Sequence, residues 1–226
     1  MQNVPMRIRS LLICLLTFTA SLSMLHGHGK WWKQELYLPP SSLLLHALRW
    51  CEGEGVALDL GCGVGNDTVF LVNQGWRVWA IDSHSKSLQL LNSRGDIEAP
   101  YRLTTLKCSL ESLHWKKLPP AQLIVADHAL AFCRPDRFMR IWRNLCNQLV
   151  VGGRFVGQFY GVNFRGLNGS SVVFLNCDQV ISLFDDFEIE FFDEVEKDEW
   201  WTNSSFVHCH VFKVIARKKC RSFEFP

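Results

Sequence analysis

Three glycines in the run Asp59-Leu60-Gly61-Cys62-Gly63-Val64-Gly65-Asn66-Asp67 are spaced GxGxG, with a carboxylate before and after them. Glycine lets backbone approach a ligand without a Cβ clash. A further acid, Asp82, closes the next apolar run, where a carboxylate can accept hydrogen bonds from both hydroxyls of a ribose. A dinucleotide fingerprint needs a glycine where Asn66 stands, and a P-loop needs a lysine that does not follow. An acid two residues ahead of the first glycine suits a cationic amine better than a pyrophosphate. S-adenosylmethionine combines an amine, a ribose and a sulfonium. Asp59 is therefore expected at its amino end and Asp82 at its ribose. Gly61, Cys62, Gly63, Gly65, Asp67 and Ser83 would complete the cradle. The competing readings are an ordinary strand-to-helix turn and a dinucleotide oxidoreductase.

A sulfonium methyl group is already activated by its positive charge. What remains is to align a nucleophile and exclude water, and such positioning supplies on the order of 7–11 kcal/mol at best. A general base is required only for an acceptor protonated at the working pH. A thiolate or similar soft anion requires none. Asp127 and His128 follow the fourth apolar run and are the candidates to position or deprotonate an acceptor; a capping Asp and a packed His are the plain alternative. Phe132 is expected to line the methyl region and Tyr160 to hydrogen-bond an acceptor, with core packing the rival for each. Trp31 and Trp32 either close over the sulfonium, since aromatic faces attract cations, or anchor the N-terminal segment. Of the two, Trp32 is the cofactor-binding candidate. His208 and His210 alternate on one strand and so face one side. No third ligand is evident beside them, and no metal is expected. Cys133 reads as a buried thiol.

These residues need strands and helices to hold them. Ser41 and Ser42, after Pro39-Pro40, predict a helix running to about Trp50. The strand 56–60 precedes the glycine turn. A helix over 67–74 is closed by Gly75, the expected residue after a helix end. The strand 77–81 follows, then a helix capped by Ser83 or Ser85, a weaker strand over 103–108 and a fourth strand over 123–126. Phe138, Ile141, Trp142, Leu145 and Leu149 make one apolar helical face over 135–149, with Gly152-Gly153 as its end. A fifth strand spans 154–160, a short helix 178–184, and two long strands 188–195 and 206–216 are joined by a loop over 196–205. Alternating strand and helix implies a parallel sheet covered on both faces. The expected fold is a single doubly wound α/β domain with a seven-stranded, mostly parallel sheet and an antiparallel edge hairpin.

The chain has 226 residues, enough for one core without disulfides or metal, and 48% apolar and 20% charged residues. A net charge of +2 is too small to argue for nucleic acid, and no nucleic-acid partner is expected. Nine scattered cysteines, with no CxxC pair, suit a reducing compartment, and a cytoplasmic location is expected. Residues 1–25 argue the other way: Arg7 and Arg9 precede an apolar run like that of a secretory signal. That segment is read as signal-like or membrane-tethering, with Met24 as an alternative start. Any membrane contact would be made through it. Residues 26–219 form the expected domain and 220–226 a tail.

From Ala57 to Asp82 the chain resembles class I S-adenosylmethionine-dependent methyltransferases, which are Rossmann-like in fold. It looks most like the bacterial group related to tellurite-resistance and thiopurine methyltransferases. That group's early Trp-Trp is matched by Trp31-Trp32, and its LPFC stretch by Leu130-Ala131-Phe132-Cys133. Its GGRFxGQFFG stretch is matched by residues 152–161, and its end resembles residues 208–218. The likeness covers about residues 31–219. It departs from the pattern at His128, Ala131 and Val151, which touch the substrate side. The resemblance implies adenine recognition by Ser109 and Leu110, with Glu111 either beside them or a solvated acid. It implies methyl transfer to a small-molecule acceptor, for which a soft S, Se or Te nucleophile and an amine are both open. A non-catalytic, S-adenosylmethionine-binding or membrane-tethered regulatory module is the alternative from another class.

Overall fold

The computed structural model describes residues 36–51, 54–166, 172–201 and 205–220. The signal-like segment, Trp31, Trp32 and the tail beyond Cys220 lie outside them. No helix among the described residues is long and apolar enough to cross a membrane.

The strands are β1 (Val56–Leu60), β2 (Arg77–Asp82), β3 (Leu103–Lys107), β4 (Ala121–Ala126), β5 (Leu149–Gly161), β6 (Phe174–Leu175), β7 (Phe187–Trp201) and β8 (Ser205–Lys218). The helices are α1 (Ser42–Ala47), α2 (Asn66–Asn73), α3 (Ser85–Asn92), α4 (Pro135–Gln148) and α5 (Cys177–Ser182). They make one mixed α/β sheet in the order β3-β2-β1-β4-β5-β8-β7, with β6 paired to the end of β5. Strands β1 to β5 run parallel, β8 is antiparallel to β5, and β7 is antiparallel to β8. The expected seven strands are present, and the two-residue β6 is additional.

Each face of the sheet carries its own apolar layer. On one, Trp142 of α4 meets Phe155 of β5 and Phe184 edge-on, each with ring centroids 5.1 Å apart. Its indole N–H donates to the Leu183 carbonyl at 3.0 Å. On the other, Leu44 of α1 and Leu71 of α2 pack over Val125, Val156 and Ile215. Both layers require nearly every side chain of the central strands to be apolar, and β1 is buried throughout.

Three boundaries differ from the sequence expectation, each for a local reason. Gly152-Gly153 do not end the long helix. The helix stops at Gln148, and β5 begins at Leu149, pairing with Ala121 before a register shift. Gly152, at φ 78, marks that irregularity. The hairpin runs past the expected loop, because Lys197, Asp198 and Glu199 pair in register with Cys209, His208 and Val207. The cap of α3 is His84, whose Nδ1 accepts the Ser87 backbone N–H at 3.3 Å, rather than either serine.

Strand order reverses at β1, between β2 and β4, and a crevice opens there at the strands' carboxyl ends. The turn that leaves β1 shapes it. Gly61 has φ 72, and a Cβ there would stand 2.6 Å from the Cβ of Ala129. Gly61→Ala is therefore expected to lower unfolding stability by about 1–3 kcal/mol, since a left-handed backbone and a close contact are strained together. A urea unfolding midpoint unchanged from wild type would contradict this.

Candidate active site

The crevice is a cavity of about 330 Å³. Asp59, Gly61, Cys62, Gly63, Gly65, Asp67, Asp82, Ser83, Ser109, Leu110, Asp127, His128 and Phe132 all line it. Of the other expected residues, Tyr160 stands behind this wall and Trp32 is outside the described residues.

Four aspartates, Asp59, Asp67, Asp82 and Asp127, line the space together with Glu111. Asp82 is buried, and its two oxygens accept the backbone N–H groups of Gly63 at 2.8 Å and His84 at 2.7 Å. It therefore pins the glycine turn to the end of β2, and each oxygen retains a further lone pair. Asp59, 4% exposed, accepts the Thr68 hydroxyl at 2.5 Å. Burial pushes the Asp59 carboxyl up to about 8; the Asp67 carboxylate adds to the rise, and the Thr68 hydroxyl opposes it. Asp67 accepts the Ser41 backbone N–H at 2.6 Å, which ties the start of α1 to the start of α2. Burial and the Asp127 carboxylate raise Asp67 to about 7. Asp127 accepts the side-chain amide N–H of Gln158. Carboxylates that repel one another in a low-dielectric space hold protons near neutral pH, and a cation placed among them releases those protons.

The acceptor side is built around His128. Its φ of 49 is left-handed, and strained backbone of this kind clusters at functional sites. Its Nδ1 lies 3.1 Å from the Tyr160 hydroxyl, and its Nε2 lies 3.9 Å from Asp127 Oδ1. Burial pushes the imidazole below its usual pKa against the pull of Asp127, so the ring is neutral at pH 7. Burial also drives the Tyr160 phenol well above its usual value, so the phenol keeps its proton. When the phenol donates to Nδ1, the ring proton sits on Nε2. When Nδ1–H donates to the phenol oxygen, the Nε2 lone pair is the one available to take a proton. Tyr160 is further fixed by stacking on Phe164, with centroids 4.7 Å apart and planes 8° apart, and by an edge contact with Phe132. It acts on the cavity through His128.

At the adenine-side loop, the Cys108 N–H donates to the Asp82 carbonyl at 3.0 Å, which carries Ser109 and Leu110 to the cavity wall. Glu111 accepts the Arg134 N–H at 2.9 Å and so serves the start of α4. Cys133 is buried, with burial pushing its thiol up to about 12, as expected of an inert core thiol.

His208 and His210 lie away from the cavity. His208 bridges Asp198 at 2.7 Å and Glu196 at 2.9 Å, and these two bonds raise its pKa. His210 faces Glu194 at 2.9 Å, and the two carboxylates Glu194 and Glu196 supply the neighbours a metal would want. However, His210 Nδ1 accepts the Asn163 backbone N–H at 3.1 Å. That leaves the ring proton on Nε2, aimed at Glu194, where a cation would need a lone pair.

Sequence reasoning did not place Ser41, Thr68, Gln158 and Lys213 among the wall and its supports, nor the lining residues Leu38, Pro39, Asn66, Cys108 and Ala129. Gln158 and Lys213 carried a readable signal, being polar side chains inside otherwise apolar strand runs.

Residues 57–153 match the family model described as a methyltransferase domain. No curated protein matches the chain. Among solved structures, TehB from Haemophilus influenzae is similar at 18% identity and a TM-score of 0.69, covering 84% of this chain and 66% of that one. The chain thus spans just under two thirds of TehB. A SAM-dependent methyltransferase from Methanosarcina mazei is similar at 18% identity and a TM-score of 0.62, with 80% and 99% covered. A Burkholderia thailandensis 1,6-didemethyltoxoflavin-N1-methyltransferase, solved with its toxoflavin and S-adenosylhomocysteine bound, is similar at 18% identity and a TM-score of 0.58, with 79% of each chain covered. At these identities the likeness is one of fold, and the fold is the Rossmann-like methyltransferase fold.

Proposed function

We propose that this chain is a class I S-adenosylmethionine-dependent methyltransferase acting on a small molecule. The observation that carries the reading is the convergence of Asp59, Asp67 and Asp82 on the cavity at the switch point, around a turn with left-handed glycines. The methyltransferase-domain match over 57–153 covers that same turn.

The donor set fits the co-substrate. Buried carboxylates held part-protonated accept an ammonium group, the spare lone pairs of Asp82 accept ribose hydroxyls, and the loop around Ser109 and Leu110 walls the base. When bound, S-adenosylmethionine supplies an activated methyl group on a cationic sulfur. The chain's own residues then orient and seal. Asp127, braced by Gln158, and His128, braced by Tyr160, border the space where an acceptor sits. Neutral His128 can take a proton from an acceptor that carries one. Phe132 presents an apolar wall that excludes water. TehB-like chemistry in particular is supported by the shared fold and by the sequence stretches 130–133 and 152–161.

The test uses the full-length chain. Calorimetry is expected to show S-adenosylmethionine binding with micromolar affinity, and S-adenosylhomocysteine release is expected with a panel of thiols, chalcogen oxyanions and small amines. No heat of binding at high protein concentration would refute the reading. Binding without release across the panel would favour the non-catalytic alternative.

A further inference from the structure

We propose that the outer face of α4, together with the turn Trp115–Lys117 beside it, docks on an anionic lipid surface. This contact is additional to any made by the N-terminal segment, and it does not depend on the methyl-transfer reading.

Phe138, Ile141, Trp142 and Leu145 bury one face of α4. Asp136, Met139, Arg140, Arg143 and Asn147 are exposed, at the spacing of the opposite face. Residues 111–119 run alongside. The Glu111 carboxylate accepts the Arg134 N–H at 2.9 Å, and its carbonyl accepts the Arg140 guanidinium at 3.1 Å. The Leu118 and Pro119 carbonyls both accept the Gln148 side-chain amide at 2.7 Å. The segment is thus pinned along α4 at both ends, and buried Trp115 and Leu118 share a core layer with Ile141 and Leu145. Lys116 and Lys117, exposed between those ends, extend the face of Arg140 and Arg143.

The charge of this face is lopsided. Lys116, Lys117, Arg134, Arg137, Arg140 and Arg143 stand against two acids, Glu111 and Asp136. Asp136 is taken up by Arg134 and Arg137, at 3.0 and 3.2 Å. Lys116, Lys117, Arg140 and Arg143 have no carboxylate within ion-pairing distance among the described residues. On the other flank of α4, Asp185 and Asp186 are matched in charge by Lys218 and Lys219. The whole chain carries only +2, so four uncompensated cations on one face are a local concentration. Met139, 53% exposed on that face, offers an apolar side chain to an interface.

The rest of the chain selects the occupant. No acid precedes Glu35, whereas Arg7, Arg9, Lys30 and Lys33 do, and residues 10–29 carry no Asp, Glu, Lys or Arg. Stable anchoring takes two signals, such as one apolar segment and one basic patch. The ten residues 26–35 join the apolar run to Leu36, a reach of at most about 33–36 Å. Leu38 and Pro39, just beyond, line the cavity together with Glu111, which holds Arg134 and Arg140. The basic face and the start of the domain therefore border one crevice, and the linker lets segment and face meet one surface. Nucleic acid offers the same phosphate charge, but the apolar segment and Met139 fit a bilayer.

The experiment titrates the full-length chain with sedimentable vesicles of phosphatidylcholine alone, or of phosphatidylcholine with phosphatidylglycerol, and reads a partition coefficient for each. Each Lys or Arg near an anionic bilayer is worth about fivefold. Wild type is expected to prefer the anionic vesicles by at least about tenfold, and added salt to erode that preference. Lys116→Gln, Lys117→Gln, Arg140→Gln and Arg143→Gln together should bring it within about twofold of none, and the two lysine changes alone should fall between. Arg49→Gln, Arg77→Gln, Lys86→Gln and Lys107→Gln remove the same charge elsewhere and should keep it. All eight side chains are exposed, so the variants should fold, as circular dichroism will check. Wild type without the preference overturns the proposal. So does a preference that survives the four changes on the face, which would belong to the N-terminal cations, or one lost equally in both fourfold variants, which would follow net charge. An RNA oligonucleotide that strips wild type from the vesicles at equal phosphate concentration also overturns it, and marks the face as a nucleic-acid surface.

Discussion

Asp82→Ala is expected to weaken S-adenosylmethionine binding about a hundredfold, equivalent to about 3 kcal/mol. Two losses combine. The ribose loses its carboxylate partner, and the glycine turn loses its anchor. The anchor is explicit: one carboxylate oxygen holds the Gly63 N–H at 2.8 Å and the other the His84 N–H at 2.7 Å. Hydrogen bonds to a charged group contribute about 1.5–3 kcal/mol each, and Gly63 must be held at φ 55 for the turn to keep its shape. Packing does not hold it, since a Cβ built on Gly63 meets nothing within 4 Å. The Asp82 carboxylate holds Gly63 itself, while the Gly61 and Cys62 N–H groups donate to the Ile81 carbonyl at 2.7 and 3.1 Å and the Gly65 N–H donates to the Cys62 carbonyl at 2.9 Å. Asp82→Asn retains one carbonyl oxygen and can satisfy one of the two N–H groups, so its loss is expected to be intermediate. Calorimetry alongside far-UV circular dichroism separates a lost contact from a lost fold. A folded Asp82→Ala protein with wild-type affinity would place the ribose elsewhere.

The sequence made the turn legible because left-handed backbone has a composition: Gly61, Gly63 and Gly65 all take positive φ. The β1–α2 and β2–α3 units were readable for a similar reason, since burial on both faces leaves continuous apolar runs. Relations set by distant pairing were not readable. Asp67 looks in sequence like any acid in the first turn of a helix, and only the fold brings it against Ser41 and Asp127. Tyr160 could equally have faced the cavity, and its place behind His128 depends on the left-handed backbone at His128 and on the stacking of Phe164. Lys213 was visible as a charge in an apolar strand. Which wall it joins depends on β8 inserting between β5 and β7, an order that alternation along one strand does not encode. Likewise β6, two residues long, is formed by pairing with the end of β5 and has no pattern of its own.

Binding of S-adenosylmethionine is expected to release about one proton near pH 7, with an affinity that peaks between about pH 7 and 8. The sign follows from the buried acids. In the free protein Asp59 titrates at about 8 and Asp67 at about 7, so below neutral pH both are largely protonated. An ammonium group binds the ionised forms, so the protons must leave, and affinity falls by about tenfold per pH unit on the acid side for each carboxylate required. On the alkaline side the ligand's own α-amino group loses its charge at about 7.7–8.0, which closes the bell. The same shifts act on folding. A carboxyl whose folded pKa lies above its unfolded value stabilises the native state fully at low pH, and that contribution is lost as pH rises through the folded value. The free protein is thus expected to melt at lower temperature at pH 8.5 than at pH 6, and the ligand, whose cation replaces the protons, should raise the melting point most at the higher of the two. Titration calorimetry in phosphate and in Tris, which differ in ionisation enthalpy, counts the protons directly. Asp59→Asn should remove most of the release and flatten the acid limb. A count of zero at pH 7 in the wild-type protein would mean that the cationic end of the ligand does not sit among Asp59, Asp67 and Asp127.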